Sequence, residues 1–271
     1  MAEVYEREAP DEQFRRPEKW PNDRLSKYLA NAIECFYYTY NAHRAEVRRF
    51  NTGLELFFEG GDALSHFRRR YGGDDSTLRG FDGARRFLSA CRSELVAAAT
   101  LIWSHQPYAA SKPLRGALEA ALYGYHVYHD PNAWNRWAER PRTDDLAGDQ
   151  ARRQRNAVGR EFSATSIARE LRGTADRLAN DIMTMYEELI DRGAHLNFTA
   201  YTGSTKRAEE GRYLVEWHTS IGATDAQIRK SLKDINRVTA LSLRLFDRVF
   251  EQHWRPVGLS SKIGSFGYRT R

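Results

Sequence analysis

Arg115 and Glu119 stand four residues apart in the run PLRGALEAALYGYHVYH, a spacing that stacks two side chains on one helical face and pairs guanidinium with carboxylate. His126 follows Glu119 by seven residues, two turns farther along the same broad face, and His129 comes three residues later. Such a strip offers an anion holder, a carboxylate and a proton-transfer group. The plainer reading, an ion pair that locks helix packing and a histidine that packs its ring, takes precedence for these residues.

A second polar concentration runs through Tyr186, Glu187, Glu188, Asp191, Arg192, His195 and Asn197, with Gly193 permitting a sharp exit from its helix. If that exit folds back over the first strip, Arg115, Glu119, His126 and His195 meet as the catalytic set. Trp137, Tyr186, Glu187 and Asn197 then line the pocket. The alternative is a hydrogen-bonded core that only fixes the turn.

Trp134 and Trp137, three residues apart, share one face of a short helix and are read first as cover for a bundle. Tyr37, Tyr40 and Tyr125 read as core or groove residues whose hydroxyls need partners. Arg68, Arg69 and Arg70, and again Arg152, Arg153 and Arg155, are basic clusters read first as solvated or ion-paired surface, with phosphate contact as the alternative. No metal is expected, because His126 and His129 lack the spacing of a helical zinc pair. No cofactor is expected either: the chain has no GxGxxG after a strand, no GxxxxGK(S/T) and no GxSxG.

The elements that must position these groups are helical. Apolar residues recur at three- and four-residue spacing from Leu25 to Tyr40, and the stripe continues to Phe58 before Gly60-Gly61 stops it. Further helices are predicted over about 81–104, 113–129, 163–193 and 224–253, with a short one around Trp134 and Trp137. The first two of these should form an antiparallel hairpin. Small residues Gly116, Ala117, Ala120, Ala121 and Gly124 mark the 113–129 helix as central, since they let a neighbouring backbone come close.

The expected fold is thus all-α, an up-and-down-type bundle of about five long helices with short accessory helices and a small β-hairpin formed from 197–202 and 213–217. Its organisation is an N-terminal arm over 1–21, one helical domain over 22–255 with an irregular insertion at about 193–222, and a flexible basic tail over 256–271.

A net charge of +6 permits attraction to polyanions, although acidic and basic residues are interleaved along nearly every helix. No run reaches the eighteen apolar residues a membrane span needs, so no membrane association is expected. Two cysteines, Cys35 and Cys91, lie apart in apolar patterns and suit a reducing, cytoplasmic compartment.

On PLRGALEAALYGYHVYHDPNAWNRWAERP and YEELIDRGAHLN the chain resembles bacterial all-helical proteins of the DUF5677, HEPN-like group. The resemblance rests on the Arg115/Glu119 helix, the Asp130-Pro131 break with its tryptophans, and the turn from Gly193 to Asn197. It implies a helical recognition protein in a bacterial stress or defence setting, with a protein or RNA partner and homodimerisation through one helical face. Catalytic members of the HEPN group cleave RNA without metal through an arginine, a polar residue and a histidine at short interval. The chain departs from that motif: Arg115 and His126 are too far apart, and Arg192 and His195 too close. A metal-independent ribonuclease or phosphodiesterase is the alternative function.

Overall fold

The computed structural model describes residues 24–68, 75–139, 149–194, 206–207, 215–216 and 223–267. In chain order they form α1 (Arg24–Ala42), α2 (Arg44–Arg68), α3 (Asp75–Trp103), α4 (Pro107–His129), α5 (Pro131–Ala138), α6 (Asp149–Glu161) and α7 (Ala164–Leu189). A π-helical turn (Ile190–Ala194) follows, then α8 (Asp225–Trp254), a 3-10 turn (Arg255–Val257) and α9 (Leu259–Phe266). The fold is all-α.

Local chemistry sets several of these boundaries. Asp130 caps α5 by accepting from the Asn132 amide at 3.0 Å, and Pro131 fills a first-turn position where no donor is lost. Ser163 caps α7 in the same way, accepting from Ser166 N. Thr224 and Gln227 form a reciprocal capping box at the start of α8.

The structure corrects some expected boundaries. The long N-terminal helix is two, α1 and α2, which meet at His43, and α2 runs straight through Gly60-Gly61. Gly60 is there for proximity: a Cβ on it would sit 2.7 Å from the Trp254 ring, and its carbonyl accepts from Trp254 Nε1 at 3.3 Å. Likewise α4 begins at Pro107, and Pro113 lies inside the helix. Residues 256–267, expected as a flexible tail, instead form a turn and α9, whose Leu259 and Ile263 are buried against α8 and α2. Arg49 donates to Phe266 O at 3.1 Å and Lys262 pairs with Glu59 at 2.7 Å, strapping α9 to α2.

The expected hairpin is not borne out. Among the described residues only the dipeptides Lys206–Arg207 and Val215–Glu216 pair, in antiparallel register, and 197–202 lies outside those residues. The 1–21 arm also lies outside them.

The α3–α4 hairpin has the most extensive helix contact, turning through Ser104-His105-Gln106 with His105 at φ 59°. Both α4 and α8 lie at the centre. The former packs on α3, α5, α7, α8 and the π-helical turn, and the latter on α2, α3, α4, α7 and α9. Gly124 makes the α4–α8 approach possible, since a Cβ there would come within 2.6 Å of the Phe246 ring. Around it Leu118, Leu122, Phe57, Phe246, Phe250 and Trp254 are sealed from solvent in one continuous apolar cluster. No helix among the described residues is long and apolar enough to cross a membrane.

Candidate functional site

Helix α4 carries the predicted polar strip, and the fold divides it in two. In its first half Arg115 Nε donates to Glu119 Oε1 at 2.9 Å, and the same oxygen accepts from Tyr186 Oη of α7 at 2.8 Å. The Arg115 guanidinium lies 5.3 Å from the Tyr186 ring centre, so the three groups close on one another. Burial, then the Glu119 carboxylate, pushes the Tyr186 phenol up to about 12, which keeps it a neutral donor at physiological pH.

His126 does not join that set. It is buried in the second half of α4, with Nδ1 3.1 Å from Glu170 and Nε2 3.0 Å from Glu161, and Phe162 lies edge-on to its ring. Arg136 of α5 forks onto Glu161 and reaches Asp130 at 2.6 Å. Burial pushes the Glu161 carboxyl up, but Arg136 and His126 outweigh it and hold the group below the usual carboxylate range. This hub joins α4, α5, α6 and α7. Glu161 and Glu170 stand 35 and 44 residues from His126, too far for any local pattern to announce them.

The predicted Tyr186 is thus at the site. Trp137 is not: it packs edge-on against Phe87 of α3 at 5.1 Å and stacks on Trp134 at 5.7 Å, because α5 lies on α3. Glu187 is exposed on the outer side of α7. His195, Asn197, Arg69 and Arg70 lie outside the described residues, as does the Arg68 side chain. Arg152, Arg153 and Arg155 are exposed on α6.

Two clusters were not anticipated. At the π-helical turn Arg192 binds both Asp234 of α8 and, at 2.7 Å, Glu188, which in turn accepts from Arg237 at 3.2 Å. Asp234 interrupts an apolar stripe, the one local hint that it needs a cation. Elsewhere buried His43 lies 3.0 Å from Asp225, and His105 Nε2 is 3.1 Å from the Thr39 hydroxyl, joining the α1–α2 junction, the α3–α4 turn and α8. Among the described residues no group of three or more His, Cys, Asp or Glu side chains is arranged for a metal ion.

A groove of about 480 Å³ lies apart from all of these, where α7 leaves helical geometry at Ala175 beside α8 and α9. Arg248 donates to the freed Thr174 carbonyl at 2.9 Å, and Asp176, Arg177, Asp181, Arg244 and Asp247 give the groove both signs of charge.

Burial lowers the pKa of His105 and of His253 below the ordinary 6.5. Each therefore resists protonation when folded. Their contribution to stability is complete above 6.5 and is lost as pH falls through the folded values. A lower melting temperature at pH 6 than at pH 7.5 is expected, and His253→Gln should flatten the difference. An identical profile for that variant would remove His253 from the account.

Compared with known proteins, the chain matches no family model, no curated protein and no solved structure.

Proposed function

We propose that this chain is a non-catalytic, HEPN-like recognition module that binds a macromolecular partner in the bacterial cytoplasm, in a stress or defence setting. The observation that carries this reading is the mutual engagement of the polar groups on the central helix. Arg115 is closed onto Glu119 and the Tyr186 ring, and His126 is buried between Glu161 and Glu170. A general acid or base must reach the proton it moves, and an anion holder must face its anion. Both groups instead stabilise the junctions among α4, α5, α6 and α7.

The test is incubation of the full chain with single-stranded RNA in excess chelator. Intact RNA is expected. Cleavage that disappears in His195→Ala would overturn the proposal in favour of the metal-independent ribonuclease. Arg115→Ala is expected to act on stability, costing about 1 kcal/mol because the pair is partly screened by solvent. An unchanged melting temperature would count against its role as a lock.

A further inference from the structure

Along the sequence from Asp149 to Arg177 the charges alternate, seven arginines among four acids, with no lysine. Folding sorts them. Glu161 and Glu170 turn onto His126, and Arg136 holds Glu161 from the other side. Arg152, Arg153, Arg155 and Arg160 of α6 are exposed, as are Arg169 and Arg172 of α7.

On α6, Val158 is the buried residue, and successive residues turn by 100°. Asp149, Arg152, Arg153, Asn156 and Arg160 then fall within an arc of about 100° centred opposite Val158, three arginines to one carboxylate. They form the outward face of a helix about 20 Å long that leans chiefly on α7.

We propose that the outward face of α6 binds the phosphodiester backbone of a nucleic acid. This rests on the recognition reading and supplies its partner. The composition favours phosphate: guanidinium forks match phosphate oxygens two at a time, which lysine does not do. A lipid surface is disfavoured because that face carries Asp149 and Asn156 and no large apolar side chain of the kind insertion needs. Contacts of this kind are made to the backbone, so binding is sequence-independent and falls steeply with salt.

The experiment is fluorescence anisotropy on the full chain with a labelled 20-nucleotide single-stranded RNA and a 20-base-pair DNA duplex, at several salt concentrations. The variants are the triple reversal Arg152→Glu, Arg153→Glu, Arg160→Glu and a matched reversal of Arg229, Lys230 and Arg255, also exposed. The first triple should weaken binding at least tenfold and reduce the salt slope by about 2, while the matched triple changes affinity less than threefold. Circular dichroism and melting confirm that both variants fold. No binding by wild type, equal losses in the two triples, or binding to phosphatidylserine vesicles but neither nucleic acid would each overturn the inference. Chelator-resistant cleavage of the RNA probe that His195→Ala abolishes would instead overturn the recognition reading, leaving the α6 comparison to stand on the DNA arm.

Discussion

Trp254→Ala is expected to lower the unfolding free energy by about 3–5 kcal/mol, the range for removing a large sealed aromatic side chain. Trp254 ends α8 fully buried, packs at 5.4 Å from Phe250, and lies over Gly60 of α2. Truncation leaves a cavity that the surrounding helices fill only in part, and the Gly60 carbonyl loses its indole donor. A fall in melting temperature of roughly 10 °C should accompany it. Denaturant unfolding with an unchanged slope would assign the loss to the native state. A cost below about 1 kcal/mol would show that Trp254 does not fasten α8 to α2.

The second large effect is expected at the π-helical turn. Arg192→Ala leaves Asp234, whose side chain is only 12% exposed, without its cation. Removing one member of a buried pair costs about 3–5 kcal/mol, and the 21% exposure of Arg192 places the expectation near the lower end, about 3 kcal/mol. The double variant Arg192→Ala, Asp234→Ala should recover at least half, because the cost comes from the stranded charge more than from the lost attraction. If the double variant is less stable than the single, the pair is stabilising in its own right and that account is wrong. Amide exchange over 188–194 should accelerate in the single variant, since the clamp holds the turn to α8.

Amphipathic period told most about the fold. The helix from Thr224 to His253 matches α8 to within a residue at each end, because a Thr/Gln capping box begins it and an apolar stripe, interrupted at Asp234, continues it. Gly60-Gly61 misled because the pair read as local punctuation, whereas the place of Gly60 in α2 follows from a neighbour distant in sequence, Trp254. The α9 segment was missed because eight residues with two buried apolar side chains carry too little period to distinguish a packed helix from a tail.

The site was legible only where it was local. Arg115 and Glu119 pair as i,i+4 neighbours on one helix, so backbone geometry alone brings them together. His126 sits on the same helix seven residues after Glu119, yet its partners are set by where α6 and α7 cross α4. The placing of charge on α6, with Glu161 turned onto His126 and Asp149, Arg152, Arg153 and Arg160 facing out, has the same origin.

From its residues alone this chain was bound to be helical, with an ion pair on α4, since those features arise between residues a few positions apart. Which charges face one another across helices, and which are left to face solvent, was decided only by packing. Electrostatic partners are chosen by distance in space, and nothing in a linear order of residues records that distance.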